Sequence, residues 1–556
     1  MQRFFKPLLL FFAAGIIAFL IAACGEAGKG AGAGQSTGFG QGGSSGGFGQ
    51  PGSGGGSLTT YHGDLARTGA NLGETLLTPA NVNVSTFGKL FSFPVDGPIF
   101  AQPLYVPSVS IAGQGTHNVV YVATEHDSVF AFDADGKTAT PLWQKSLINP
   151  DAGITAVPSN DIQSGYEDIE PEVGITSTPV IDSSTGTIYV VTKTKESGSY
   201  YQRLHALDIT SGAEKFGGPV IIQASVPGAG ARNDGNGNVV FDPLINLQRA
   251  GLLLVNGVVY LAFGSHGDFD PFNGWILGYD AQNLKQVVVY TPDADGAGGS
   301  VWQSGGAPAA DSAGNIYVLV ANGDFDVASG GRDFGDTALK LKPANGSFSV
   351  LDWFTPFNQQ ELDDNDWDFG SGGPVLLPDQ PSGPPHLLIG GSKQSKLYVI
   401  NRDNMGHFNA ADDSQIVQVV NLPGPLFSTP AAWQNKVYIG TVGAPLQSYT
   451  VSGGQFTAAS QSAQIFGYPG TTPAVSSNGG SNGIVWALQV EQFDSGPAVL
   501  HAYDANDLSR ELYNSAMAGA RDQAGIAVKF TVPSVINGKV YVGGADQLTA
   551  YGLLGK

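Results

Sequence analysis

The chain has 556 residues, with 47 Asp and Glu against 26 Lys and Arg and a formal net charge of −21. That balance, with no basic cluster, excludes a nucleic-acid backbone or an anionic lipid surface as a charge partner. A single cysteine, Cys24, excludes an intrachain disulfide, so the folded part must be held by packing alone.

Residues 1–24 read MQRFFKPLLLFFAAGIIAFLIAAC. Arg3 and Lys6 precede an apolar run from Leu8 to Ala22, which predicts a secretory signal over residues 1–23 rather than a fold element. As a membrane span the run is near the lower length limit. Leu20-Ile21-Ala22-Ala23-Cys24 resembles the lipobox of bacterial lipoproteins. The resemblance implies cleavage before Cys24 and a lipid on its thiol, hence a membrane anchor. Gly25 rather than Asp follows, which favours an outer-membrane or outward-facing location in a diderm cell. Residues 24–57 are nearly all Gly, Ser, Gln and Ala and predict a flexible tether, with a coil dimension of about 30 Å.

Residues 58–556 repeat one unit eight times. The second strand of the unit recurs as VVYVAT (Tyr121), TIYVVT (Tyr189), VVYLAF (Tyr260), NIYVLV (Tyr317), HLLIGG (Leu388), KVYIGT (Tyr438), IVWALQ (Trp486) and KVYVGG (Tyr541). Each is followed by a third strand such as VFAFDAD, RLHALDIT or LHAYDAND, and most are preceded by a short lead-in such as STPVID or TTPAVSSN. β-Branched and aromatic residues fill these runs and Gly, Asn and Asp separate them, so they are strands joined by turns. A unit too small to bury its own face, repeated at this length, predicts four-stranded blades around an axis. The last unit stops after its third strand, and FGKLFSFPV (Phe87 to Val95) precedes the first. The expected fold is therefore an all-β, eight-bladed propeller whose last blade is closed by this N-terminal strand.

The endings AFDADG…PLW (Trp143) and HALDITSGAEKF (Phe216) resemble the tryptophan-docking repeat of quinoprotein alcohol dehydrogenase-like propellers. YHGDLARTGANLGETLLTPANV (Tyr61 to Val82) resembles the lead-in of the same proteins, and YVATEHDS and GSGGPVLLPD are shared with a bacterial group of PQQ-binding-like propellers. That superfamily holds enzymes that use pyrroloquinoline quinone (PQQ) with calcium, and also non-enzymes such as the BamB-type assembly lipoproteins. The vicinal cysteine pair of many quinoprotein alcohol dehydrogenases has no counterpart here, and there is no C-x-x-C-H for haem.

A working face would be built from the loops leading into the inner strands and those joining second to third strands. The first set contains Glu170 and Glu172, Arg249, Trp302 and Ser304, and Asp366, Trp367 and Asp368. The second contains Glu125 and His126, His266 and Asp268, Asn322 and Asp324, and Lys393. Glu172, Asn322 and Asp324 are oxygen ligands of the kind calcium needs, and Asp366 or Asp368 could act as a base. Trp302 and Trp367 offer flat faces for a planar ligand; with Glu172, Arg249, Asn322, Asp324 and Lys393 they form the candidate cofactor set. The same polar residues are also what β-turns are made of, through Asx bonds. Asp364 to Gly370 is not an EF-hand, since its glycine falls one place late and Val375 stands where the last glutamate belongs.

The expectation is a lipid-anchored extracytoplasmic propeller acting as a binding or assembly module for an envelope protein or glycan. A PQQ- and calcium-dependent alcohol or sugar dehydrogenase is the alternative, and a carbohydrate-binding wheel a weaker one.

Overall fold

The computed structural model describes residues 56–555; the signal, Cys24 and most of the tether lie outside the described residues. The first blade runs Leu104–Ile111, Gly115–Ala123, Ser128–Asp133 and Trp143–Ser146, all antiparallel, inner to outer strand. Six more blades follow in chain order, from Val180–Asp182 in the second to Asp507–Asn514 in the seventh, each built on four antiparallel strands, with short extra strands joining the second, third and seventh. The eighth is Ser534–Ile536, Lys539–Gly543 and Gln547–Leu553, and its outer strand is Phe87–Pro94, as the sequence predicts. Phe87 faces Leu553 and Pro94 faces Gln547, with one bulge between Lys89 and Phe91. This joint ties the two ends of the wheel together and leaves no open edge between its first and last blades.

The hydrophobic core is divided among the gaps between blades. Eight apolar clusters each draw from two neighbouring blades, including one shared by the eighth and the first, where Phe93 stacks on Phe132 at 4.5 Å. Each blade therefore buries both faces against its neighbours, which is why the strands read as near-continuous apolar runs.

The repeat's most regular residues do local work. The Asp that ends the third strand opens a turn, accepting the N–H two residues on at Asp133, Asp208, Asp280 and Asp504. The carbonyl after that Asp accepts the second-strand tyrosine hydroxyl of the preceding blade. The pairs are Tyr121 to Ile209 (2.9 Å), Tyr189 to Ala281 (2.6 Å), Tyr438 to Ala505 (2.7 Å) and Tyr541 to Ala134 (2.8 Å). Trp143 adds a second bond to the Ile209 carbonyl at 2.9 Å and lies against Gly212, where a Cβ would come 2.9 Å from its ring. It is a wedge between blades one and two. Phe216, at the matching place in blade two, packs into the next gap.

The axis is filled from within. The backbone from Leu58 to Gly69 bonds to the inner strands in succession: Leu58 with Tyr105, Thr59 with Ile181, Leu65 with Ala310, Ala66 with Leu376, Thr68 with Ala432 and Gly69 with Val475. Asn71 then reaches Val535 of blade eight. Tyr61 donates to Thr429 at 3.0 Å, and the fully buried Arg67 bonds Pro308, Thr60 and Tyr61. Amides and carbonyls that inner strands would otherwise leave unpaired in the channel thus find partners in one segment.

Candidate functional site

The loops that lead into inner strands and the loops between second and third strands bring their side chains together at one end of the wheel. Aromatic rings hold its centre. Phe427 touches Trp302 (6.2 Å between ring centres), Tyr468 (5.7 Å) and Phe530 (6.2 Å), and Tyr468 touches Phe493 (6.2 Å) and Phe530 (6.1 Å). These rings come from blades four, six, seven and eight. Most are half-buried, and Tyr468 is 41% exposed. Mixed tilted and edge contacts are the favourable geometries for such rings, and their outer faces remain available.

Cations flank the rings. Arg249, 2% exposed, has its guanidinium over Phe530 at 4.6 Å and Phe100 at 5.4 Å. Its Nη1 is 3.8 Å from Asp168, and neither Nη1 nor Nε has a hydrogen-bond acceptor. Lys529 lies over Phe493 and bonds Asp168 at 2.5 Å. Burial opposes ionisation of Asp168, but Arg249 and Lys529 overrule it and hold the carboxyl below its usual range.

On the other flank Lys393 lies 5.6 Å from the Trp302 ring centre and bonds Asp366 at 2.6 Å and Asp368 at 2.8 Å. Carboxylate oxygens of Asp268, Asp366 and Asp368 lie within 4.8 Å of one another. Burial would lower the Lys393 ammonium, but Asp368, Asp366 and Asp268 outweigh it and keep it firmly protonated. Asp268 is exposed by surface area, and desolvation together with the Asp368 charge pushes its carboxyl up. The group is an internal ammonium among three carboxylates.

The sequence-derived candidates therefore divide. Trp302, Lys393, Asp366 and Asp368 come together, with Asn322 attached through a 3.0 Å bond to Asp366. Arg249 joins the aromatic centre. Glu172 is tied to His126 at 2.5 Å, and Asp324 accepts the Ala297 amide in an acidic hollow on blade four. Trp367 packs beside Leu362 and Phe369 against the core between blades four and five. Glu172, Asn322 and Asp324 thus hold three different partners: His126, Asp366 and the Ala297 amide. Glu125 is wholly buried, accepting Gly174 N at 2.7 Å and the Thr176 hydroxyl at 3.1 Å; burial raises it to about 7. His266 is wholly buried as well.

Sequence reasoning missed Phe427, Tyr468, Phe493 and Phe530. A signal for two of them exists: Phe100-Ala-Gln-Pro, Phe427-Ser-Thr-Pro and Phe530-Thr-Val-Pro repeat one F-x-x-P pattern in the loops leading into blades one, six and eight.

No protein-family model and no characterised protein sequence matches the chain. Solved structures do. Quinohemoprotein alcohol dehydrogenase ADHIIG from Pseudomonas putida HK5 is 14% identical, with a TM-score of 0.61 over 90% of this chain and 81% of that one. The fold is that of the quinoprotein dehydrogenase propellers. The quinohemoprotein alcohol dehydrogenase of Comamonas testosteroni is similar to the same degree (15%, TM-score 0.60, 90% and 81%). BamB from Moraxella catarrhalis is 14% identical at a TM-score of 0.48, over 84% of this chain and 99% of that one. At such identities the likeness describes architecture.

Proposed function

We propose that the protein is a ligand- or partner-binding propeller of the cell envelope, held to the membrane by a lipid on Cys24. One observation carries the binding half: a half-exposed aromatic cluster centred on Phe427, flanked by an arginine with unpartnered N–H groups. Aromatic anchors beside a desolvated arginine are what binding hot spots are made of. Their chemistry suits a flat apolar group that carries a carboxylate or similar anion. The lipobox supports the anchoring half.

PQQ is itself a flat anion, so the dehydrogenase reading is favoured by the same cluster. Glu172, Asn322 and Asp324 are each bonded to a different partner, so the aromatic cluster and not a calcium seat is what supports that reading.

The test uses the full chain, in the cell envelope for crosslinking and purified for ligand binding. A photo-crosslinking residue at Tyr468, introduced in the native envelope, should give a discrete adduct that Phe427→Ala abolishes while leaving the thermal transition in place. PQQ with calcium should neither shift that transition nor support dye-linked alcohol oxidation. Stabilisation together with turnover would replace the binding reading with the enzyme. Specific signals on a glycan array would redirect it to carbohydrate. Replacing Cys24 by Ala should leave the chain without lipid; continued partitioning as a lipoprotein would overturn the anchor.

A further inference from the structure

Four titratable groups beneath the face are hydrogen-bonded in series across blades two and three. Lys193, 2% exposed on the strand Thr187–Glu196, places Nζ 2.6 Å from the Leu244 carbonyl, 3.1 Å from the Asn246 carbonyl and 2.6 Å from His266 Nε2. His266 Nδ1 lies 2.9 Å from the Tyr166 hydroxyl, which lies 3.4 Å from Asp168 Oδ2. Asp168 is the carboxylate that Lys529 and Arg249 hold at the central face.

The two carbonyls can only accept, so the third position on the lysine nitrogen fixes every other proton in the row. As an ammonium, Lys193 donates to His266 Nε2. The imidazole then carries its proton on Nδ1 and donates to Tyr166, whose hydroxyl is left to donate to Asp168. As a neutral amine, Lys193 accepts from Nε2–H instead. Nδ1 is then bare and takes the Tyr166 proton, and Asp168 loses that donor. Every nitrogen–oxygen and nitrogen–nitrogen contact serves both arrangements without heavy-atom movement.

We infer that Lys193, His266 and Tyr166 form a proton relay that ends on Asp168, so that a buried lysine sets which way the Tyr166 hydroxyl points at the central face. The step balances. One Lys193 proton passes to Nε2, the Nδ1 proton passes to the Tyr166 oxygen, and the original tyrosine proton passes to Asp168 and on to solvent. What remains is the second arrangement, with one proton fewer. The 3.4 Å gap between Tyr166 and Asp168 is the longest link, and it is the link a ligand on Arg249 and Lys529 would touch.

The surroundings fit this role. Burial lowers Lys193 to about 7 against the pull of Asp242 and Glu125. Burial, with Lys193 and Arg249, keeps His266 neutral, so it changes tautomer and not charge. Burial and Asp168, against Arg249 and with Glu125, keep Tyr166 a phenol. Asp127 beside Glu125 is pushed well up by burial and by that neighbour. The inference goes beyond the binding reading and stands without it, since its test needs no ligand.

The test is histidine-selective nitrogen-15 NMR on the full chain, with His266→Gln assigning the resonance. His266 should carry its proton on Nδ1 in acid and on Nε2 in base, changing over near pH 7. Lys193→Arg, which cannot deprotonate, should lock the Nδ1–H tautomer across the range. A single His266 tautomer from about pH 5.5 to 9 in the unmodified chain would overturn the relay. So would a change of tautomer that persists in Lys193→Arg. If the arginine variant fails to fold, the unmodified chain alone decides.

Discussion

The four tyrosine bridges between blades allow a stability experiment with an internal control. Tyr541→Phe removes the 2.8 Å bond to the Ala134 carbonyl and keeps the ring, at a site where both residues are wholly buried. A neutral buried hydrogen bond contributes a net of about 1 kcal/mol, and an orphaned carbonyl raises the loss toward about 2 kcal/mol. Tyr121, Tyr189 and Tyr438 make the same bond in other gaps, so their losses should add to within about 0.5 kcal/mol. Because the Ile209 carbonyl keeps its bond from Trp143 in Tyr121→Phe, the fourfold Tyr→Phe variant should lose about 4–7 kcal/mol. Tyr260 sits at the same place in its blade but makes no such bond among the described residues, so Tyr260→Phe should stay within about 0.5 kcal/mol of the parent. Urea unfolding followed by tryptophan fluorescence reads both, as a midpoint shift at constant slope. A fourfold variant that moves the midpoint no further than Tyr260→Phe would refute the idea that these hydroxyls fasten the blades.

Three further outcomes are expected. Phe93→Ala should cost about 3–5 kcal/mol and open the eighth blade to protease, because Phe93 fills the gap shared with blade one; unchanged proteolysis would contradict the closure. His62, buried against Tyr61 in the axial segment, is lowered by burial to about 4. A histidine lowered in the folded state destabilises it as pH falls from the unfolded value near 6.5 through about 4, here by about 3 kcal/mol. His62→Phe should flatten that part of the acid-unfolding curve, and an unchanged slope would place the titration elsewhere. Lys393→Met should destabilise by about 1–2 kcal/mol at neutral pH, since it leaves the buried Asp368 without its ammonium while the exposed Asp366 is screened by solvent. Asp268 and Asp366, already raised and losing the opposing pull of Lys393, give back stability as they protonate, so the deficit should shrink in acid; a deficit independent of pH would sink the electrostatic account.

What was legible in the sequence was whatever repeats. Tyr121 and its equivalents, the turn-forming Asp133 and Asp208, and the spare strand Phe87–Pro94 are each set by local patterning, and they suffice for the wheel. The face was half legible. Listing polar residues by loop position found Trp302, Arg249, Lys393, Asp366 and Asp368, because equivalent loops of different blades converge on one axis. The same list gave Glu172 and Asp324, whose partners His126 and Ala297 lie in neighbouring loops and could not be foreseen from spacing. Phe427 and Phe530 were hidden by being hydrophobic: in a chain where apolar residues mark strands, an exposed phenylalanine looks like core. Lys193 was hidden for the opposite reason, since a lysine within a strand looks like solvent contact, and only the third dimension encloses it.

The axial segment has a consequence for the order in which the molecule can assemble. Residues 58–71 are made early, yet their partners extend to Val475 and Val535, near the far end of the chain. The strand Phe87–Pro94 likewise waits for Gln547–Leu553. Contacts this distant in sequence form slowly and close last. The hub therefore stays unsatisfied until Val535 has been synthesised and the rim until Gln547–Leu553 has, and a nascent chain stopped short of Val535 has neither a finished hub nor a closed rim. Such a chain remains unlatched for the whole of its synthesis and locks in one late event.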